Sequence, residues 1–437
     1  GLWPFSTLGW PEKTADLAYF YPTSVLETGA DILFFWVARM MMFGIEFTEE
    51  PPFHTVYLHG LILDEKGQKM SKTKGNVIDP ITVMEDLGTD ALRFTLLVGS
   101  TPGKDSNLSI KKVEGNRNFA NKIWNAGRFV LGAISQAPTK PEGKIEWTLA
   151  DSWIWARLNS LIRETERLFA GYQFGEAGRQ IYEFIWGEFA DWYLEIAKSQ
   201  LAEGGDRAYY TAQTLVRVLD ACLRLLHPFT PFVTEELWTA LKATAQERNL
   251  PAFDSKRPWE EALIIAHWPE AQAAEGWEEQ TVADFNLVQE VIRAIRNLRA
   301  EKAVPPSKKI AALIVAGQKA DLLEAQKTFL CSLANLDPSN LKIVCALSDK
   351  LENQASVVVA GVEVYLPLAE LVDPEQEKAR LSKELADTLG QIERLDKLLS
   401  SDFGSKAPAQ VVEKERGRLA AFRETADKLK QQLDTLK

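Results

Sequence analysis

Residues Thr55–Asn76 read TVYLHGLILDEKGQKMSKTKGN, and this stretch joins a strand pattern to a cationic loop. Thr55–Ile62 is rich in β-branched and apolar residues and predicts a short buried strand. A hairpin-like segment, Asp64–Gly67, follows, and Lys69–Asn76 then places three lysines within six residues. We therefore expect a strand that leads into a lysine-rich loop.

This segment, Lys69–Asn76, is called the lysine loop below. A mobile cationic loop suits a polyphosphate, because ammonium groups stabilise charge that grows as pyrophosphate leaves. The glycine spacing differs from that of a Walker P-loop. For an isolated Lys-x-x-Lys-x-Lys pattern, a solvated lysine-rich turn would be the better interpretation, so the neighbouring sequence decides between the two.

Helical and strand-like runs alternate around this strand. The alternation predicts that residues 1–112 form the end of an α/β domain. Asp31 is a candidate N-cap for a helix with an apolar surface. The apolar residues on adjoining faces of that helix are Ile32, Phe35, Trp36, Met40 and Phe43.

Residues 113–300 predict a helical bundle, because apolar side chains recur there at intervals of three and four. One stripe consists of Phe174, Ala177, Ile181, Ile185, Phe189, Trp192 and Ile196. The sequence His227–Phe232 contains two prolines, which predict the end of one helix and the start of another.

Residues 301–370 predict a small α/β module, with one helix over residues 322–333. Its predicted strands are Ile310–Val315, Leu341–Val344, Ser356–Ala360 and Val362–Leu366. Residues 371–437 carry two heptad-patterned segments separated by Phe403, Gly404 and Pro408. This pattern predicts an antiparallel coiled-coil hairpin.

Composition sets broad limits on compartment and partners. The 437 residues contain three widely spaced cysteines, which favours a reducing, cytoplasmic environment and no zinc site. No apolar run is long enough to predict a membrane span or a secretory signal. The net charge of −11 argues weakly against a nucleic-acid partner, although a basic strip on an acidic protein would still bind RNA.

The lysine loop is similar to the KMSKS signature of class I aminoacyl-tRNA synthetases, with Thr73 in place of the final serine. Within that class the neighbouring sequences resemble the valyl-tRNA synthetases. The matching segments are Tyr21–Ile32, Phe34–Met40, His59–Ile62, Asp90–Phe94, Glu114–Lys122 and Arg293–Ile310. The resemblance covers nearly the whole chain and corresponds to the C-terminal part of such an enzyme.

This resemblance implies an α/β nucleotide-binding (Rossmann-like) domain, an anticodon-binding bundle and a tRNA-binding arm. Lys69 and Lys72 would be the catalytic lysines, holding the phosphates of ATP with its Mg²⁺. The implied ATP-binding residues are Gly29, Asp31, His59, Gly60, Lys69, Met70, Ser71 and Lys72. Asp31, Ile32 and Trp36 would form the valine pocket, without a protein-bound metal site.

Less specific interpretations apply to several of these residues. Ile32 and Trp36 would, without the resemblance, be interpreted as ordinary helix core, and His59 as a buried, hydrogen-bonded histidine. Candidate tRNA contacts are Arg117, Lys122, Arg293 and Arg296, for which a solvated charged face is the general alternative.

The implied activity is ATP-dependent attachment of valine to tRNA(Val) by a monomer, through a valyl-adenylate intermediate. The chain lacks the HIGH motif and the editing domain, so we expect this fragment alone to be inactive. Two alternatives remain at this point. One is an isoleucyl- or leucyl-specific relative, and the other is a non-catalytic tRNA-binding protein, which would have no need of an intact lysine loop.

Overall fold

The structure is a computed structural model that describes residues 1–302, 304–347, 354–367, 374–400, 415–423, 425–427 and 430. The strands are β1 Thr23–Gly29, β2 Phe53–His59, β3 Ile62–Leu63, β4 Ser106–Asn107, β5 Ile310–Val315, β6 Leu336–Val344, β7 Gln354–Val359 and β8 Val362–Pro367. The first helices are α1 Trp3–Ser6, α2 Ala15–Phe20, α3 Ala38–Thr48, α4 Pro80–Leu87, α5 Thr89–Leu97, α6 Ile110–Gln136 and α7 Leu149–Ala170. The next are α8 Phe174–Glu183, α9 Leu194–Ala202, α10 Gly205–Leu226, α11 Pro231–Glu247, α12 Glu278–Glu301, α13 Ala320–Ala325 and α14 Lys327–Ala334.

The described chain divides into two compact units, residues 1–285 and residues 286–437. In the first unit, β1 and β2 run parallel, and β3 pairs in parallel with β4. Only Gly60 and Leu61 separate β2 from β3, so the predicted strand over residues 55–62 is observed with a break at its end. The prediction that this strand is buried is wrong, because its residues are half-buried or exposed. Parallel strands end at the same edge, which brings the residues after β1 and β2 together.

Helices α4, α5 and α6 supply most of the apolar cluster against which the lysine loop packs. Together with Leu108, which follows β4, they form a buried cluster of Val83, Ala91, Leu92, Leu108 and Val113, and Met70 packs against it. The loop is therefore anchored to the first unit by one apolar side chain.

Hydrogen bonds that involve side chains of helix α5 also hold the start of α11. The Asp90 carboxylate accepts hydrogen bonds from the Phe232 and Val233 amides, at 3.3 and 2.7 Å. Arg93 donates to the Pro228 carbonyl at 3.1 Å. Burial raises the pKa of Asp90, against the lowering effect of these amide hydrogen bonds. A carboxylate at a helix N-terminus satisfies amides that the helix itself leaves unpaired.

The helical bundle occupies most of the first unit. The predicted stripe lies on one continuous helical segment formed by α8, a π-helical stretch Phe184–Tyr193, and α9. Six of its members are buried, namely Ala177, Ile181, Ile185, Phe189, Trp192 and Ile196. Helix α10 ends at Leu226 and α11 begins at Pro231, which confirms the predicted break.

A buried charge network, Asp220, Arg224 and Glu260, fixes the loop after α11 to this bundle. The Asp220 carboxylate, fully buried, accepts hydrogen bonds from Arg224 Nε at 2.8 Å, Trp238 Nε1 at 2.7 Å and the Phe253 amide at 2.8 Å. Arg224 also donates to Glu260 at 2.9 and 3.2 Å. The two carboxylates together satisfy one buried guanidinium, which is the condition for burying charge without a large penalty.

The second unit contains a four-stranded sheet in the order β6-β5-β8-β7. Strands β5 and β6 are parallel, whereas β8 is antiparallel to both β5 and β7. Strands β5, β7 and β8 lie within two residues of their predicted bounds, whereas β6 begins at Leu336, five residues before the predicted start. In place of one predicted helix, two short helices, α13 and α14, are separated at Gln326.

The division between the two compact units falls inside α12. The second half of α12 binds the loops around the sheet. Arg296 donates to the Leu333 carbonyl at 2.8 Å, and Arg299 donates to the carbonyls of Asn335 and Lys308 at 3.0 and 2.8 Å.

The C-terminal part of the second unit contains the helix Pro374–Ser400 and helical residues 415–423. Arg423 pairs with Asp396 at 2.9 Å, and the heptad residues Leu395, Leu419 and Ala426 are buried. The predicted connecting loop at Phe403–Pro408 lies outside the described residues. In the described part of the chain, no helix combines the length and the apolar character required to span a bilayer.

Candidate active site

The carboxyl ends of β1 and β2 place three predicted site residues together. Gly29 and His59 are register partners in the parallel pair. A Cβ atom at Gly29 would lie 2.7 Å from Asp31 Oδ1 and 3.6 Å from His59 Cε1. A Cβ atom at this position would crowd only the Asp31 carboxylate, and its distance from His59 would be an ordinary contact. Gly29 therefore lies between the Asp31 and His59 side chains, and the three residues belong to one polar surface.

Glu27 joins this surface, although the sequence analysis does not single it out. Its Oε1 atom lies 3.6 Å from His59 Nε2, while His59 Nδ1 contacts the Gly60 carbonyl at 3.1 Å. Burial, and then the Glu27 charge, raise the pKa of Tyr57 on the adjacent strand. Strand periodicity contains a signal for Glu27, because residues two apart on a strand face the same side and Glu27 precedes Gly29 by two.

Gly60 has a packing reason for being glycine. A Cβ atom there would overlap the Lys104 carbonyl, because the segment before β4 crosses the chain at this point. The next residue is held across the same crossing, since the Leu61 amide donates to Asp105 Oδ1 at 2.8 Å. The close approach of the Lys104 main chain therefore explains why position 60 is a glycine.

The lysine loop is closed by its own polar groups. Ser71 caps a single 3-10 turn, Lys72–Lys74, and its Oγ accepts a hydrogen bond from the Lys74 amide at 3.2 Å. Gly75 ends the turn with φ +66°, a left-handed conformation that favours glycine. The hairpin-like segment predicted before the loop is present, since Leu63 and Lys69 form an antiparallel bridge.

The lysines of the loop face solvent. Lys69, Lys72 and Lys74 are exposed, and within the part of the chain that the structure describes none of the three forms an ion pair. Three ammonium groups on one short loop, without carboxylates to neutralise them, create a local positive potential on an acidic protein. That potential is suited to a multiply charged anion such as a polyphosphate.

The predicted valine-pocket residues are exposed and are not helix core. Ile32 is 42% exposed and Trp36 is 51% exposed, in a segment that passes from a 3-10 turn into a π-helix. The predicted N-cap role of Asp31 is wrong, because Gly29 caps the turn and Asp31 lies inside it. The carboxylate is thereby left pointing towards Gly29, where it belongs to the polar surface.

The four candidate tRNA contacts differ in their surroundings. Lys122 forms an ion pair with Asp191 and lies 4.3 Å from the centre of the Trp186 ring, so its ammonium already has two partners on the bundle surface. Arg117 is exposed on α6 and reaches Asn118 Oδ1 at 3.4 Å. Arg293 and Arg296 are exposed on α12, where Arg296 also donates to a main-chain carbonyl.

Comparison with protein families gives three matches along the chain. Residues 1–109 match the model described as tRNA synthetases class I (I, L, M and V). Residues 151–314 match the anticodon-binding domain of tRNA ligase, and residues 373–437 match the valyl tRNA synthetase tRNA binding arm.

Curated relatives match over the whole chain. The valine–tRNA ligase of Carboxydothermus hydrogenoformans is 45% identical over 441 residues, which cover 100% of this chain and 48% of that protein. The enzyme of the same name from Bacillus subtilis (strain 168) is 42% identical over 443 residues, covering 100% and 48%. The chain thus spans about half the length of the curated relatives it matches. A solved structure of Mycobacterium tuberculosis methionyl-tRNA synthetase with methionyl-adenylate is 22% identical, with a TM-score of 0.48, and covers 54% of this chain and 47% of that one.

Proposed function

Since this chain belongs to the family of valine–tRNA ligases, we propose that it supplies part of a class I synthetase that joins valine to tRNA(Val) with ATP. In the first step the valine carboxylate attacks the α-phosphorus of ATP, forming valyl-adenylate and releasing pyrophosphate. In the second step a 3′-terminal hydroxyl of the tRNA takes the valyl group, and AMP leaves.

The observation that carries this proposal is the exposed lysine loop that follows the strand end bearing His59. Lys69 and Lys72 would contact the β- and γ-phosphates, where negative charge accumulates as the bond to the α-phosphorus breaks. Ammonium groups held beside these phosphates would stabilise the transition state more than the ground state, because the phosphate charge grows as the bond breaks. The matching relatives favour this activity over a non-catalytic RNA-binding protein.

The polar surface at the ends of β1 and β2 would position the adenylate. Gly29 allows the substrate to approach the main chain closely, and the Asp31 carboxylate accepts a hydrogen bond from the ribose or pairs with the α-ammonium of valine. The His59 ring would lie beside the ribose and the ammonium group, with the Glu27 carboxylate 3.6 Å from it. Catalysis then depends mainly on orientation and electrostatics.

Mg²⁺ would arrive with ATP, bound to the phosphate oxygens. In the described part of the chain, no group of three or more His, Cys, Asp and Glu side chains is arranged as a metal centre. Bound to the phosphates, Mg²⁺ would neutralise their charge, as the lysine loop does.

The partner would be tRNA(Val), bound by the helical bundle and by residues 373–437. The anticodon-binding and tRNA-binding-arm matches support this assignment. Arg117 would be one contact in the bundle, since its side chain is exposed on α6. The heptad pattern, together with the buried Leu395 and Leu419, supports a coiled-coil hairpin for the arm.

The test is amino-acid-dependent ATP–pyrophosphate exchange by the full-length gene product, with valine, threonine, isoleucine and leucine in parallel. We expect valine to be the best substrate, threonine to be activated measurably and isoleucine much less. An apolar wall of Ile32 and Trp36 excludes a larger side chain but cannot clash with a hydroxyl that replaces a methyl group, a limit for which valine-specific synthetases are the standard illustration.

Trp36→Ala should weaken the exclusion of isoleucine relative to valine. Phe34→Ala provides the matched control, because Phe34 is a more exposed aromatic residue on the same turn without an assigned pocket role. Isoleucine or leucine as the best substrate of the unaltered protein would refute the valine assignment and the pocket with it.

A further inference from the structure

We infer that Asn76 is a positioning residue for Lys69 and Lys72, and that Asp64 orients its side-chain amide. This inference rests on the proposed function, since it concerns how the lysine loop is held for work on phosphate. Neither residue carries charge to the substrate. Their contribution is to fix the main chain from which the two lysines extend.

The two ends of the Asn76 amide bind two different parts of the loop. Its Oδ1 accepts a hydrogen bond from the Ser71 amide at 3.0 Å. Its Nδ2 donates to Asp64 Oδ2 at 2.8 Å and lies 3.4 Å from the Lys69 carbonyl. The side chain therefore holds the main chain at Lys69 and at Ser71, on both sides of Met70.

Asp64 is itself fixed by the turn before the loop. Its Oδ1 accepts hydrogen bonds from the amides of Lys66 and Gln68, at 3.0 and 2.8 Å. Only Oδ2 remains for Asn76, so the position of the amide donor is determined. The hydrogen bond from Asn76 is the largest of the effects that lower the pKa of Asp64.

The arrangement requires a donor and an acceptor in one side chain. A carboxylate at position 76 would accept from Ser71 but would face the Asp64 carboxylate across 2.8 Å. An amide at position 64 would instead place two NH₂ groups opposite each other.

Exchanging the two residue types restores the bond between the side chains. The amide then at position 64 would donate to the carboxylate at position 76, and its oxygen would keep both turn amides. The new carboxylate would still accept from the Ser71 amide. Only the long 3.4 Å contact with the Lys69 carbonyl would be lost. The exchange therefore tests whether the hydrogen bond between positions 64 and 76 is what matters, whichever of the two residue types stands at each position.

This clamp, Asp64 with Asn76, matters for the lysines because little else restrains them. Both ammonium groups are exposed, and the described residues provide no carboxylate partner for either. Lys69 carries the clamped carbonyl, and Lys72 begins the 3-10 turn that Ser71 caps. Without the clamp the loop would still be anchored at Met70, but each lysine would sample more positions, and a small misplacement in a reacting site has a large effect on rate.

The experiment is a double-mutant cycle in the full-length gene product, with Asn76→Asp, Asp64→Asn and a third variant that combines the two changes. Valine-dependent pyrophosphate exchange is measured over a range of valine concentrations. Each single change should lower kcat about 10-fold or more while KM for valine stays within about twofold. The exchanged pair should recover to within about threefold of the unaltered protein.

Asp79→Ala is the matched control. Asp79 lies three residues after Asn76 and caps α4 by accepting a hydrogen bond from the Ile81 amide at 2.9 Å, outside the clamp. It should leave kcat unchanged. A general softening of the region would lower kcat in this control as well, and would overturn the inference.

Two further outcomes would also overturn the inference: single variants as active as the unaltered protein, or an exchanged pair as impaired as its parents. Failure of the proposed function gives a different result, because the unaltered protein would then show no valine-dependent exchange.

Discussion

Asp64 and Asp220 each accept three hydrogen bonds, yet they occupy opposite kinds of environment. Asp64 lies in the half-exposed turn before the lysine loop and binds two main-chain amides and Asn76. Asp220 is completely buried in the bundle and binds Arg224, Trp238 and the Phe253 amide. The pKa of Asp64 is lowered, first by the hydrogen bond from Asn76, whereas burial raises the pKa of Asp220.

The difference shows that three hydrogen bonds to a carboxylate can either set the shape of a loop or satisfy buried donors. Around Asp64, water competes for every group, so the bonds select a loop shape and add little to stability. Around Asp220, no water replaces a lost partner, so removal of the carboxylate leaves buried donors unsatisfied. We therefore expect changes near the lysine loop to affect rate, and changes in the buried charge network to affect folding.

The largest expected effect on stability is that of Asp220→Ala. It should lower the free energy of unfolding by about 3–5 kcal/mol, because Arg224 loses a partner and the Trp238 and Phe253 N–H groups are left buried without an acceptor. Urea denaturation followed by tryptophan fluorescence measures the change. Asp64→Ala is the matched variant and should shift the midpoint much less. Equal shifts in the two variants would remove the distinction between the regions.

Lys72→Ala tests the other side of the comparison. In the full-length gene product it should reduce kcat for valine-dependent pyrophosphate exchange by a factor on the order of 10²–10³, because its ammonium acts on charge developed in the transition state. KM for valine and the urea midpoint should change little. Lys66→Ala, an exposed lysine in the preceding turn, is the control. If both variants lowered the rate equally, the loop would act only through its overall charge.

A smaller effect concerns the pH dependence contributed by Glu260. Burial alone would raise its pKa, but hydrogen bonds from Arg224 and His267 outweigh burial and lower the pKa from 4.5 to about 2. Because the pKa of Glu260 is lower in the folded protein than in the unfolded chain, its ionised carboxylate stabilises the fold above pH 4.5. This contribution is lost as the pH falls towards 2. The unaltered protein should lose more stability between pH 5 and about pH 2.5 than Glu260→Gln does, as measured by urea denaturation at each pH.

Glu176 provides the contrast for that measurement. The Arg179 hydrogen bond lowers its pKa to about 2 as well, but this pair lies on the exposed surface of α8. Solvent screens exposed ion pairs, so Glu176→Gln should leave the pH dependence almost unaltered. A loss of pH dependence as large as that of Glu260→Gln would show that burial is not what distinguishes the two carboxylates.

Local sequence patterns were sufficient for much of the fold. The β-branched run before the lysine loop, the stripe from Ala177 to Ile196 and the two prolines after His227 each predict an element that the structure contains. Such patterns work because strand and helix periodicities depend on residues two, three or four positions apart. The same local patterns predict Asp31 as a helix N-cap, whereas the structure places it inside a 3-10 turn that Gly29 caps.

The sequence by itself determined the lysine loop, the helical character of the segment that follows and the family of the chain, because these patterns reside in contiguous residues. The tertiary structure alone decided which charges are available to a substrate. Lys122 resembles an RNA contact in sequence but is paired with Asp191, 69 residues away, while Asp90 caps a helix that begins more than 140 residues later. Pairing between distant residues depends on how the chain folds back on itself, and a hydrogen-bond partner at that separation leaves no periodic signal in the sequence.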